Sequence, residues 1–120
     1  MWGVRITTQS APPDWYLTYL SAALFFARRY EESKAIRLHV PDVYVDSSFL
    51  GAALFAQMGM LEEAKRWANR GIARLAATPG GALAVAEGRV IQALLDNNPY
   101  RRQEDLDHFA EGMRKAGVPG

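Results

Sequence analysis

Two stretches of this 120-residue chain gather residues with the chemistry of a site. His39 precedes Val40-Pro41-Asp42, and Asp46 follows; an imidazole among carboxylates can hold a metal ion or form an acid/base pair. Glu104, Asp105, Asp107 and His108 offer the same combination within about one helical turn. Neither set is expected to be catalytic or metal-binding. His39 reads as a cation at a helix end and Asp42 as the start of the next helix, placements that the helix dipole favours. Asp105 and His108 flank an amphipathic face whose apolar side is core, so the second set reads as a solvated helix face. The "PGG" at 79–81 lacks the downstream Lys-Ser/Thr of a phosphate loop. Arg66, Arg70 and Arg74 recur every four residues and could form a basic stripe for nucleic acid. No exposed aromatics interleave with them, and 14 basic against 13 acidic residues leave a net charge of only +1. An ordinary solvated face, and no nucleic-acid partner, is the expectation.

Composition narrows the classes further. The chain has no cysteine, which removes disulfides, thiolate nucleophiles and Cys-based metal sites together. That suits a reducing cytoplasm, the expected compartment. No apolar run approaches the ~20 residues that span a bilayer, so no membrane partner is expected. The start, "MWGVRITTQS", has one Arg and no long apolar core and is not expected to act as a signal peptide. No motif implies a cofactor. A small enzyme is the rival from a different class, but no nucleophile–base or metal constellation stands at readable spacing.

The elements that must position any site are helical. Residues 1–10, with β-branched "VRITT", read as an irregular arm, and 11–120 as one helical domain. Pro12-Pro13-Asp14 is a helix-start signal. The dense aromatics after it, Trp15, Tyr16, Tyr19, Phe25 and Phe26, predict a first helix buried on more than one side and ending near 27–29. A second helix is expected over 30–39, stopped by Pro41. A third is expected over 43–58, with Gly59 as the left-handed turn residue after it. The fourth carries the cleanest stripe: Leu61, Ala64, Ala68, Gly71, Ile72 and Leu75. "TPGG" ends it and caps a fifth, expected to run through Leu83, Val90, Ile91, Leu94 and Leu95 to "DNNPY". The sixth has Leu106, Phe109, Ala110 and Met113 on one face. Six helices make three hairpins.

"RRYEESKAIR" and "GMLEEAKRWA" say nearly the same thing. With Ser21 laid over Ala52, 31 positions on, Leu24 meets Phe55, Tyr30 meets Leu61, and each Glu pair meets the other. A period in this range means stacked supersecondary units, each completing its neighbour's core. Small residues let the two helices of a hairpin approach, and Tyr30 or Leu61 fills the groove beside them. Arg28 stands where the second copy has Gly59. A left-handed Arg costs ~1 kcal/mol or so, so that corner is expected to be built differently.

"ALFAQMGMLEEAKRWANRGI" resembles the tetratricopeptide repeat, with Ala52, Phe55, Gly59 and Ala64 in the family's order, and "ALFFARRYEES" is a degenerate copy. "PPDWYL", the two Glu-Glu hairpins and "NPYRRQEDLDHFAEGMRKAGVPG" further resemble the non-catalytic C-terminal repeat region behind bacterial class III adenylate cyclase domains and winged-helix regulators. The resemblance implies an all-α fold, three helical hairpins stacked as a short right-handed solenoid. It implies a protein or peptide partner rather than catalysis. The chain is expected to be a free-standing remnant of that architecture, binding an apolar peptide or helix, or self-associating as a homodimer. The alternative is a regulatory or oligomerisation remnant of a cyclase-like signalling protein. In that family the first helix of each hairpin lines a concave groove. The matching positions here are Trp15, Thr18, Ala22, Phe25 and Phe26, then Asp46, Phe49, Ala53, Ala56 and Gln57. Neither set holds the cations that clamp a carboxylate, so an apolar side chain or amphipathic helix is the expected occupant.

Overall fold

The computed structural model describes residues 12–40, 45–99 and 101–120. The expected arm at 1–10, the role of Asp42 and the start of the third helix at Val43 lie outside them. Among the described residues there are seven helices and no strand: α1 Asp14–Phe26, α2 Tyr30–Arg37, α3 Val45–Gln57, α4 Leu61–Ala76, α5 Pro79–Ala86, α6 Val90–Asp96 and α7 Gln103–Lys115. The chain is all-α, as expected. It has one helix more than the six expected, because the fifth is two.

Its break is at Gly88, at φ 68°, and it is one of a set. Arg28 at φ 65° and Gly59 at φ 77° turn the chain in the same left-handed conformation. At each corner the next amide reaches back five residues to close the preceding helix: Arg29 N to Leu24 O at 2.8 Å, Met60 N to Phe55 O at 2.8 Å and Arg89 N to Ala84 O at 2.9 Å. This is the bond pattern that ends a helix on a left-handed residue. Gly88 follows Gly59 by 29 positions, as Gly59 follows Arg28 by 31. The expectation of a different corner at Arg28 is therefore corrected. The guanidinium supplies what the missing glycine would not need: Nη1 donates to Phe26 O and lies 3.4 Å from Asp105 Oδ1.

The centre of the core is α3, not α1. From Ser47 to Ala56 every α3 residue but Leu50 is buried, because α3 packs against α4, α7, α1 and α2. The first helix buries only Ser21, Ala22 and Phe25 and leaves Trp15, Tyr16 and Tyr19 exposed. Small residues set these approaches. A Cβ on Gly51 would overlap the Trp67 ring, so the α4 indole packs directly against α3 at Gly51. Trp67 was absent from the expected stripe, and Leu61, expected to fill a groove, is 47% exposed.

Two polar groups are unexpected in this core. Arg37, at the end of α2, is 2% exposed. Its Nη1 donates to Ser47 O at 2.9 Å and Ser47 Oγ at 2.7 Å, and its guanidinium lies 5.5 Å from the Trp67 ring centroid. The α2 helix stops there rather than at His39, which is exposed. Ser21 and Ser33 form a closed clasp between α1 and α2. Ser21 Oγ donates to Ser33 O at 3.0 Å, Ser33 Oγ to Ser21 O at 2.6 Å, and neither residue is exposed. The corresponding positions of α3 and α4 are Ala52 and Ala64, also fully buried.

The two pairs are alternative solutions to one close approach. Each hydroxyl donates to the other residue's main-chain carbonyl, which alanine keeps, so the two bonds are lost one at a time. Ser21→Ala should lose about 1 kcal/mol, and Ser21→Ala/Ser33→Ala about twice that. Urea unfolding of the four proteins of the cycle measures this; a double variant as stable as the parent would contradict it.

Candidate functional site

The α1/α3 groove has two halves. At one end, α7 lies in it. Gly112 faces Ala53 so closely that a Cβ at 112 would sit 2.7 Å from Ala53 Cβ and 2.9 Å from Ala53 O. Phe109 completes the apolar contact, its ring centroid 6.4 Å from that of Phe25 and 6.1 Å from that of Phe26. Arg101, just before α7, places its guanidinium 3.9 Å from the Phe26 ring centroid.

A polar network rims this contact. Gln57 donates to Glu111 Oε1 at 3.1 Å and accepts from Lys115 Nζ at 2.8 Å, so the two charges fix which way its amide points. Its Nε2 then faces His108 Nδ1 at 3.4 Å, which assigns the His108 proton to Nε2, 2.9 Å from Tyr30 Oη. The His108 ring stacks on Phe25 at 4.9 Å and Tyr30 at 5.9 Å. Burial, aided by the Arg28 charge and opposed by Glu111 and Asp105, holds His108 below the usual imidazole range. Burial likewise raises the Tyr30 phenol. Asp105 is buried, 3.4 Å from Arg28 Nη1 and 3.6 Å from Arg102 Nε.

These positions correct the expectation of a solvated face: Asp105 and His108 are buried or half-buried beside α1 and α2. Only Glu104 and Asp107 of that set are exposed, bonded to Arg102 at 3.0 Å and Gln103 at 2.8 Å. The cluster holds helices together. Among the described residues no group of three or more His, Cys, Asp or Glu could hold a metal ion.

At the other end the groove is open, a cavity of about 680 Å³. Trp15, Thr18, Tyr19 and Ala22 of α1 wall one side, Val45, Asp46, Ser47 and Leu50 of α3 another, and Asn97, Asn98 and Arg101 close it. Trp15 and Tyr19, one turn apart, meet with planes at 79° and centroids 6.3 Å apart, which makes a two-ring corner. Thr18 Oγ1 is turned to its own helix, donating to Asp14 O at 2.9 Å. Asp46 is half-buried, and burial raises its carboxyl above the usual range. It forms no ion pair or hydrogen bond among the described residues.

The structure thus divides the predicted site residues. Trp15, Thr18 and Ala22 line the open cavity together with Asp46. Phe25, Phe26, Ala53 and Gln57 meet α7 or Arg101. Phe49 points away, its ring packed on Gly71 of α4, where a Cβ would lie 3.0 Å from it. Ala56 is buried. Tyr19, Leu50, Asn97, Asn98 and Arg101 were not foreseen as lining; Tyr19, one turn past Trp15, was readable in principle. The arginines of α4 are engaged: Arg66 with Glu63, Arg70 over Trp67 at 4.7 Å, and Arg74 with Ser48 Oγ at 3.3 Å. The "PGG" is a helix start, with Thr78 Oγ1 accepting from Gly81 N at 3.1 Å. No described helix is long and apolar enough to cross a membrane.

Compared with known proteins, the chain matches no family model, no curated protein and no solved structure.

On an exposed helix face, Gly→Ala gains roughly 0.5–1 kcal/mol from reduced backbone freedom. At Gly112 the added methyl meets Ala53, and overpacking of this kind costs about 1–3 kcal/mol. Gly112→Ala should therefore lower the thermal midpoint and raise binding of an apolar dye as α7 lifts from Phe25. A raised midpoint would show that α7 does not lie on α3.

Proposed function

We propose that the chain is a non-catalytic protein–protein interaction module of the tetratricopeptide type, with its own last helix filling one half of the groove and a partner entering the other. Three features support the repeat reading. The helices pair as α1 with α2, α3 with α4 and α5 with α6. Equivalent left-handed corners join each pair at Arg28, Gly59 and Gly88. The helix α7 follows the three pairs and lies on α3 and α1, as a bound helix lies in helix-in-groove recognition, while also touching α6.

The observation that carries the proposal is the exposed aromatic corner beside the open cavity: Trp15 is 54% and Tyr19 70% exposed. Large apolar groups rarely stay this exposed together on a monomer unless they meet something. The cavity is of a size that accepts one or two side chains. A peptide bearing an apolar or aromatic anchor would bury it between Trp15, Tyr19 and Leu50. Self-association is the second reading, favoured by Tyr16, which is 48% exposed on the same helix yet does not line the cavity. Regulation of a cyclase-like or transcriptional domain rests on the sequence resemblance and would use the same surface.

Selection of a random peptide display library against the full chain tests the proposal. Peptides with a shared anchor should be enriched, and Tyr19→Asp should weaken them by about thirtyfold, an anchor of ~2 kcal/mol, with helical content unchanged. No enrichment, or equal binding to Tyr19→Asp, would remove the cavity as the partner site. Sedimentation separates the second reading: a dimer that Tyr16→Asp dissociates would favour it.

A further inference from the structure

We propose that the open end of the groove binds an organic ammonium group, with the rings of Trp15 and Tyr19 as two walls of a cage and the Asp46 carboxylate as the counter-charge. The inference deepens the partner-site reading of this cavity and rests on it. Three observations point to an anchor that carries a cation on its apolar part. The first is the aromatic corner. Two rings at 79° to each other both line the cavity, and aromatic faces hold quaternary or alkylated ammonium ions. The second is Asp46, which lines the same cavity, half-buried and with neither ion pair nor hydrogen bond among the described residues. A carboxylate partly removed from water is stabilised by a cation entering beside it. The third lies next door. Phe26, the next aromatic along the groove, already carries a cation, since the Arg101 guanidinium sits 3.9 Å from its centroid. The groove therefore holds one cation–π pair within the chain, over Phe26, and has a second pair of aromatic rings with an acid lining the same cavity.

Arg101 also lines the cavity and is the competing charge. Held over Phe26, it forms no ion pair with Asp46 in this structure. Its removal should strengthen binding of an incoming cation. An alkylated lysine in a peptide and a free quaternary amine share this chemistry, and the test separates them.

The probe is the indole N–H resonance of Trp15, assigned by its loss in Trp15→Phe. It is followed by NMR while the full chain is titrated with choline, with a trimethyl-lysine peptide, and with the uncharged choline isostere bearing a tert-butyl group. Choline or the peptide should move the resonance saturably, with a Kd of millimolar order or tighter. The isostere should bind at least about tenfold more weakly, as expected when the ring faces recognise charge. Asp46→Asn should weaken the ammonium probe several-fold, and Arg101→Gln should tighten it. Tyr19→Leu keeps the bulk, removes a π face and serves as a second weakening variant should Asp46→Asn unfold. A peptide that binds far better than choline assigns the site to a modified or basic peptide; equal binding assigns it to a small amine. Equal binding of the isostere, or no movement of the Trp15 resonance at about 50 mM of either ammonium probe, overturns the proposal. Display-selected peptides that bind through apolar anchors regardless of charge would leave the interaction reading standing and remove only the ammonium site.

Discussion

Gly112 on Ala53 is the contact on which the rest of the arrangement depends. Two helices cannot bring their backbones together across larger side chains. Here one partner has no side chain and the other a single methyl, so α7 settles against α3 with Ala53 Cα, Cβ and O all within 3 Å of where a Cβ at 112 would be. That approach puts Phe109 among Phe25 and Phe26, and it brings Gln57 within reach of Glu111 and Lys115. It also seals the inner half of the α1/α3 groove. Remove the approach, and Phe25 loses its cover.

The same trade of small against large recurs around α3. Gly51 accepts the Trp67 indole, and Gly71 accepts the Phe49 ring. Close packing of this kind leaves few voids, so each contact tolerates little change in volume. The polar groups do a different job. The exposed ion pairs, such as Arg29–Glu32 and Arg102–Glu104, contribute little in high dielectric. Those at the α7 seam are partly removed from water, where an unmatched donor is expensive. Tyr30 with His108, and Arg28 with Asp105, therefore fix the angle and register of α7 more than they add to its affinity. The left-handed Arg28 belongs to this seam as much as to its corner, since its guanidinium reaches the α7 acid.

Much of this was legible in the sequence because it is local. Helix starts at Pro13-Asp14 and Thr78-Pro79, the corner at Gly59 and the thirty-one-residue echo all follow from backbone preference and spacing. The break at Gly88 carried the same signal, a glycine 29 positions past Gly59, but Leu83 and Val90 mimic one helical stripe across it. What could not be read is pairing over distance. The apolar face of α7 is plain in Leu106, Phe109, Ala110 and Met113, yet nothing local says that it lies on α3, more than fifty residues earlier. The burial of Arg37 was not legible, because it is set by Ser47 and Trp67 on two other helices. The groove residues were found from the resemblance. Only the structure separates Trp15, Thr18 and Ala22, which remain open, from Phe25, Ala53 and Gln57, which α7 has taken.

A groove half filled by its own chain has a defined consequence for binding: a partner meets the aromatic corner first and gains the inner half only by displacing α7. Whether α7 sits there in solution is a question of proton distances. An isotope-edited nuclear Overhauser spectrum of the full chain, read between the Ala53 methyl and the Gly112 α protons, answers it directly. The account predicts a strong cross-peak, since the two groups are in van der Waals contact. Its absence, with the α7 amides still helical and the Ala53 methyl assigned, would contradict it.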